Sequence, residues 1–527
     1  MTDLPSSSSR RRFLQAGAAA LGGLAAPALV AAESARPVAA QGLQFGDPLD
    51  GSAVVWSRSD RPARMIVEWS LDERFTNATR IVGPHALEAG DFTARQDLVG
   101  LPPGRDVFVR VAFQGLDNAR ALGEPVLGRL RTPPVDGGDL RFVWGGDTAG
   151  QGWGINPAFG GMRIYEAMRR RQPHFFIHSG DTIYADGPIA ATALAEGGAT
   201  WTNLVTPEVA KVAETLDEFR GRYRYNLLDD NLRRFNAEVA QIWQWDDHEV
   251  ANNWSDAKSV DADPRYTEKN VPLLVARGTR AFLDYAPMRP FDARESQRVY
   301  RRFSYGPLLD VFVLDMRSYR GPNSYNRQGT PGEATAFLGE RQLRWLKDGL
   351  ARSRAAWKVV AADMPLGLLV GDGRDAQGRD RFEAVVNGNG PVLGREFEIA
   401  DLLSHLRREK VANVVWLTAD VHYCAAHHYD PRRAVFRDFD PFWEFVAGPL
   451  NAGTFGPGVL DDTFGPEAVF VKAPPPGQSN LSPLAGLQFF GEVNIDAHAR
   501  LTVDLRDLEG RSLYSTTLLP QPGWRRA

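Results

Sequence analysis

Six times in this chain a short apolar run that reads as a buried strand ends directly on an aspartate. Arg141–Gly146 stops at Asp147, His174–Ser179 at Gly180-Asp181, and Gln241–Trp245 at Asp246-Asp247-His248. Leu308–Leu314 stops at Asp315, Trp357–Ala362 at Asp363, and Val411–Thr418 at Asp420-Val421-His422. Helical patterns lie between them, over Met162–Arg171, Thr206–Asn236 and the amphipathic stretch Thr335–Ser353. Strands alternating with helices imply an α/β sheet, and such sheets bind ligands beyond the carboxyl ends of their strands. A carboxylate delivered there by each strand converges on one rim. One such aspartate is commonly a helix cap or a turn former. Six of them, mixed with His and Tyr, exceed what capping requires.

The 527 residues are enough for two or three domains. From Leu43 to Pro134 the pattern is different: short alternating strands such as SAVVWSR, ARMIVEWS and RDVFVRVAF, with Gly, Pro and Asp between them. Val107, Val109 and Val111 would share one face. Seven or so such strands predict a small fibronectin- or immunoglobulin-like β-sandwich over 43–135, closed by TPPVDGG. A second, larger region of alternating strands and helices is expected over 136–527, with its strand character returning after about residue 440.

The chain begins with a different signal. Ser9-Arg10-Arg11-Arg12-Phe13-Leu14 has the form of a twin-arginine export signal, followed by an Ala/Gly/Leu run and small residues near Ala31 and Ala32. A membrane anchor over 13–32 fits less well, because Gln15 and Pro27 interrupt a weakly apolar run. Residues 1–32 are therefore expected to be a signal peptide and 33–42 a linker. The implied partner is the twin-arginine translocase, the implied location periplasmic or secreted, and no stable membrane anchor is expected. The net charge of -4 and the absence of a nucleic-acid-binding motif give no basic surface for RNA or DNA. Cys424 is the only cysteine, so neither an intramolecular disulfide nor a Cys-based zinc cluster can form. It reads as a packed core thiol.

Oxygen and imidazole donors suit hard and borderline metal ions. Two adjacent ions need a bridging carboxylate with terminal ligands on either side. Such a pair can hold a hydroxide, bind a phosphoryl oxygen and stabilise an in-line displacement. The strand ends supply Asp147, Asp181, Tyr184, Asp247, Asp420 and His422. His248, next to Asp247, would donate a proton to the leaving oxygen.

These motifs resemble the alkaline phosphatase D family, a branch of the calcineurin-like binuclear metallophosphatases. FGDPLDGSAVVWSR, GDTIYAD, WDDHEVANNW, LDMRSYRG, FLGERQLRWLKDGL and TADVH follow in that family's order across almost the whole chain. The resemblance implies a four-layer metallophosphatase-type β-sandwich flanked by helices, preceded by the small all-β sandwich. It implies an exported phosphoesterase in which a metal-bound hydroxide attacks phosphate monoesters or diesters, of small or polymeric substrates. Asp181 would bridge the ions, with Tyr184 and His422 on one, which favours Fe(III). Asp247 and Asp420 would hold the other, implied to be Ca(II), with Mn or Zn as alternatives. Asn252 or Asn253 would add a side-chain oxygen. Arg317 would contact phosphate or support the site, or form a structural salt bridge.

One position departs from the family pattern: Asp147 stands where a Cys ligand is common, which leaves the identity of the first ion open. Asp186 reads as a supporting group or a turn residue. Asp363 holds the position of another ligand in related enzymes. His174 and His178 read as structural, and His427 and His428 as tolerated residues of surface or core. A phospholipase or phosphotriester hydrolase on the same site, and a non-catalytic metal-stabilised periplasmic binding protein, are the competing functions.

Overall fold

The computed structural model of the chain describes residues 36–521. The export signal expected over 1–32 lies outside the described residues.

Two large sheets face each other. The first has nine strands, in the order Ser512–Leu518, Leu501–Asp507, Phe489–Ile495, Leu140–Gly145, Phe175–Ser179, Ala240–Gln244, Leu43–Leu49, Ser52–Arg58 and Thr93–Val99. The second has seven: Arg301–Tyr305, Leu309–Val313, Trp357–Ala361, Val414–Thr418, Phe442–Val446, Cys424–Tyr429 and Pro466–Lys472. The strands expected to end on aspartates are central and parallel in both sheets. They are almost wholly buried on both faces, which is why they read as mostly apolar runs.

The two inner faces share one core, in which Phe142, Trp144, Ile177 and Ile242 of the first sheet pack with Val311, Val359 and Leu417 of the second. The Trp144 indole N–H donates to the Thr418 carbonyl at 3.2 Å, tying the sheets together. A second core lies under helices Arg163–Arg170, Leu216–Asn226, Asp230–Glu238 and Val271–Tyr285. A third lies under Glu340–Arg352 and Glu396–Arg408. The result is helix, sheet, sheet, helix: the four-layer arrangement.

The helical region expected over Thr206–Asn236 breaks in two around Asp229, whose carboxylate caps the second helix by accepting from Leu232 N–H and also holds Met162 N–H, both at 2.9 Å. The helix expected over Thr335–Ser353 is shorter, Glu340–Arg352.

Seven strands lie between Leu43 and Arg131. Ala63–Ser70, Thr79–Ala86, Asp106–Gly115 and Val126–Arg131 form a sheet of their own. The other three extend the nine-stranded sheet, because Leu43–Leu49 pairs in parallel with Ala240–Gln244 at Gly46 and Gln241. The amino-terminal strands therefore pack as a sandwich, one layer of which runs on into the large sheet. Val107, Val109 and Val111 are all buried inside it.

Candidate metal centre

The carboxyl ends of the central strands of both sheets meet at one rim, where tight turns present the acidic residues. Four of these turn residues adopt the left-handed backbone region that non-glycine residues seldom occupy: φ is 71° at Asp147, 50° at Asp181, 66° at Asp420 and 60° at His422. Such conformations cost about 1–3 kcal/mol each and persist where surrounding structure over-determines them. Here each turn follows a strand that is almost wholly buried.

Three sets of donors lie close enough to hold a cation: Asp147, Asp181 and His422; Asp181, Asp247 and His248; and Asp246, Asp247 and Asp420. Asp181 and Asp247 each belong to two sets, so the sets form one continuous centre. Six carboxylate oxygens in and beside it are buried without a hydrogen-bond partner: both of Asp147, both of Asp363, Oδ2 of Asp246 and Oδ1 of Asp247. Buried carboxylates left unpaired are costly, and pairing or metal coordination is the usual resolution. Oxygen-rich donors with one imidazole fit divalent or trivalent cations.

The two histidines are prepared differently. The Nδ1–H of His422 donates to the Gly453 carbonyl at 2.5 Å. Its Nε2 therefore carries a lone pair, which lies 2.8 Å from the Tyr184 hydroxyl and 3.5 Å from Asp147 Oδ1. Burial pushes this imidazole down to about 4, so it is neutral and fit to ligate. Burial, with the charges of Asp181 and Asp147, pushes the Tyr184 phenol well above its ordinary value.

His248 is held the other way. Burial opposes its charge, but Asp186, Asp247 and Asp181 outweigh burial and raise its pKa well above the usual value. Its Nδ1–H donates to Asp186 Oδ1 at 2.6 Å, and its Nε2 lies 3.9 Å from Asp247 Oδ1. Its ring lies against that of Tyr184, with centroids 4.3 Å apart. The imidazolium thus keeps one N–H directed at the acidic centre. Asp186, left open between support and turn, is the group that orients it; its other oxygen accepts the Asn252 backbone N–H at 2.8 Å.

Asp247 stays ionised: burial is overcome by His248, Arg317 and the Asn253 N–H, which donates at 2.5 Å, and its pKa falls to about 2. Asp147, Asp181, Asp246 and Asp420 shift the opposite way, pushed well above the ordinary range first by burial and then by neighbouring carboxylates.

Arg317 is fully buried beneath the centre. It donates to Asp246 and Glu383, and Asp363 Oδ2 lies 3.5 Å from its Nε. These contacts make it a buried counter-ion that supports Asp246 from below, and they leave it no exposed face for phosphate. Asp315 is a turn former, accepting from Arg317 N–H at 3.0 Å and Ser318 N–H at 2.9 Å. Asn252 is exposed, and its backbone N–H is held by Asp186. Of the remaining histidines, His178 is buried with Nε2 at 3.1 Å from Thr148 Oγ1, and His427 is buried against Glu444. His174 is half-buried against the Arg141 carbonyl, and His428 is half-buried with its ring against Trp443. Cys424 is buried in the inter-sheet core.

Two residues of the site carry no role in the sequence pattern. Glu249 is fully buried and accepts from Thr182 N–H at 2.6 Å, Asp246 N–H at 2.8 Å and Asp181 N–H at 3.2 Å, locking two ligand-bearing turns together. Its place within WDDHE is the only signal for it. Glu383, which anchors Arg317 and Arg320, comes from a stretch without a motif.

Glycines of the turn after Phe442–Val446 let the centre close. A Cβ on Gly448 would lie 2.3 Å from Asp147 Oδ2, and one on Gly453 only 1.7 Å from Asn480 Oδ1. Since the Gly453 carbonyl also holds His422, Gly453→Ala is expected to tilt that imidazole and weaken metal retention about ten- to a hundredfold. Titration with a competing chelator measures this, and unchanged retention would refute it.

Comparison with known proteins gives concordant matches. The family model described as PhoD-like phosphatase matches residues 142–505, and that of the PhoD-like phosphatase N-terminal domain matches residues 24–134. Alkaline phosphatase D of Bacillus subtilis (strain 168) is 26% identical over 446 residues, covering 80% of this chain and 71% of that protein. A solved structure of PhoD superposes with a TM-score of 0.67 at 20% identity, covering 92% of this chain and 90% of the other. A purple acid phosphatase from yellow lupin (Lupinus luteus) seeds superposes with a TM-score of 0.52 at 13% identity, covering 92% of this chain and 74% of the other. The structural likenesses show a shared fold.

Proposed function

The chain belongs to the PhoD-like phosphatase family of phosphoric ester hydrolases, and from that premise we propose that it is an exported, metal-dependent phosphoesterase acting on phosphate monoesters or diesters. The observation that carries the reading is the run of three adjoining donor sets, linked through Asp181 and Asp247, with a charged His248 among them and carboxylate oxygens buried and unpartnered.

Asp147, Asp181, Tyr184 and His422 would hold one ion, and Asp181, Asp247 and Asp420, with Asn252 or Asn253 at the edge, the other. We assign Fe(III) to the first, since only a strongly acidic ion readily takes the phenol of Tyr184 as phenolate, and Ca(II) to the carboxylate-rich second. Ions bound there supply Lewis-acid polarisation of the phosphoryl group and lower the pKa of water. The protein's own contribution is to orient and to move a proton. Asp181 and Asp247 fix the positions of the charge that binds phosphate. His248, held by Asp186 at Nδ1, offers Nε2–H to the ester oxygen as it departs. Arg317 balances the carboxylates from below without touching substrate. The twin-arginine pattern at the amino terminus supports export, a route suited to a protein that folds around its metals first. Among the described residues no helix is long and apolar enough to cross a membrane.

Elemental analysis of the purified exported form, with hydrolysis of a chromogenic monoester and diester on the same sample, tests this. Two metal equivalents with hydrolysis support it. Bound metal with no hydrolysis of either ester favours a binding protein, and no metal under conditions that supply it overturns the binuclear reading.

Proton linkage gives a check that does not depend on turnover. In the chelated protein Asp147, Asp181, Asp246 and Asp420 hold their protons above the unfolded value of about 3.9. The folded state then binds more protons than the unfolded state, so stability falls as pH rises from about 4 towards their raised values. The raised His248 works in the same direction, and the depressed Asp247 acts only below about pH 4. Metal loading removes the penalty and adds about 2.7 kcal/mol at a hundredfold excess over Kd. The melting-temperature gap between loaded and chelated protein is therefore expected to widen from pH 5 to pH 8. A gap that narrows contradicts the assignment.

A further inference from the structure

At the rim of the acidic centre one cation, Lys258, makes no ion pair among the described residues and acts on Asp247 only from a distance. Against the cost of burial, three cations hold Asp247 ionised: His248, Arg317 and then Lys258. His248 is paired with Asp186, and Arg317 with Asp246 and Glu383. Lys258 is half-buried and its side chain has a single partner, the carbonyl of Asn252, to which its ammonium donates. Among the described residues it makes no ion pair. Its placement is fixed by the turn that follows WDDHE: Lys258 N–H donates to the Ser255 carbonyl at 2.9 Å, and Asn253 N–H to Asp247 Oδ2 at 2.5 Å. Asn253 is in turn held by Asp372 of the hairpin Gly371–Phe382, at 3.2 Å. The ammonium is thus carried on a braced turn, on the Asp247 side of the centre, with donor capacity left over.

A carbonyl satisfies one of the three N–H groups of an ammonium and none of its charge. The remaining N–H groups and the charge of the ammonium stay available to an anion that enters the centre from solvent. Phosphate monoesters and diesters differ in just this respect: above about pH 6 a monoester carries a second negative charge, whereas a diester carries one. We propose that Lys258 is a specificity-determining residue that meets the second charge of a phosphate monoester dianion, so that this site prefers monoesters to diesters. The proposal rests on the phosphoesterase reading and decides what that reading leaves open.

The test compares the metal-loaded wild type with Lys258→Met and Lys258→Arg at pH 8, using a nitrophenyl phosphate monoester, the corresponding bis-ester, and calorimetric titration with inorganic phosphate. In Lys258→Met, kcat/KM for the monoester is expected to fall at least tenfold, mostly through KM, while that for the diester falls less than threefold. Binding of inorganic phosphate, a dianion at this pH, is expected to weaken about tenfold with metal content unchanged. Lys258→Arg, which keeps the charge, restores most of both. Equal losses on the two esters, or no loss of phosphate binding, overturn the assignment of Lys258 while leaving the phosphoesterase reading standing. So does a wild type that favours the diester. A loaded wild type that hydrolyses neither ester overturns both.

Discussion

Asp247→Ala is expected to release at least one of the two metal equivalents and to lower turnover by about a thousandfold or more, with the fold kept. The carboxylate belongs to two of the three donor sets, one oxygen is buried without a partner, and its pKa near 2 keeps it charged at every working pH. Lewis-acid stabilisation is worth several kcal/mol at the transition state, and each 1.36 kcal/mol is about tenfold in rate. The fold should survive because the rim has too much negative charge. The charge of Asp247 helps push up the pKa of Asp147, Asp181, Asp246 and Asp420, so removing it relieves repulsion among buried groups. Against that stands the Asn253 N–H, which loses its acceptor at about 1–3 kcal/mol. The chelated variant should therefore melt close to chelated wild type, and the loaded variant well below loaded wild type. Elemental analysis and paired melting curves check both halves. A variant that keeps both metals and its turnover would remove Asp247 from the ligand set.

That carboxylate was legible in the sequence for a physical reason. A parallel strand covered on both faces is mostly apolar, so its end is marked by a change to acidic residues. Phe175–Ser179, Ala240–Gln244, Leu309–Val313, Trp357–Ala361 and Val414–Thr418 all show it. The same signal does not separate a ligand from a turn former. Asp315 and Asp420 end equivalent strands, yet Asp315 spends Oδ1 on the Arg317 and Ser318 backbone N–H groups and the Trp245 indole N–H, and Oδ2 on the Ser318 hydroxyl, while Asp420 joins a donor set. Only three-dimensional hydrogen bonding makes that distinction. Adjacent residues in WDDHE diverge in the same way: Asp246 gives one oxygen to Arg317, Asp247 gives one to the Asn253 N–H, and Glu249 turns inward to hold two loops.

Groups that act through long-range pairing leave no local pattern. Glu383 reaches Arg317 across 66 residues, and the side chain of Arg317, exposed in no part, gives nothing in sequence to tell a phosphate contact from a buried counter-ion. The helices Val271–Tyr285 and Glu396–Arg408 lie outside the pattern of strands that end on aspartates, and neither ends on a motif of the rim. The amino-terminal strands were legible as strands, since alternation such as Val107, Val109, Val111 is a local property. Their distribution between two sheets depends on one parallel pairing, at Gly46 and Gln241, which no alternation encodes.

His248→Ala should separate chemistry from metal binding. The ring nitrogens face Asp186 and the edge of the centre, and no ligand depends on the ring for its position except through packing against Tyr184. Both metal equivalents are expected to stay, and turnover to fall about a hundred- to ten-thousandfold, the range for a positioned general acid. The loss should depend on the leaving group. A nitrophenolate departs without help, so its ester should lose least, whereas an alkyl phosphate should lose most. Equal losses would mean a binding or structural role. The acid function also predicts the alkaline limb of the pH profile. Asp186 is the largest of the charges that raise the His248 pKa, so Asp186→Asn should lower it and move the alkaline fall in kcat towards neutrality. Asn still accepts the Nδ1–H, so the ring keeps its orientation while its proton becomes easier to lose. An alkaline limb that stays in place in Asp186→Asn, with turnover reduced, would show that the titrating group is not His248.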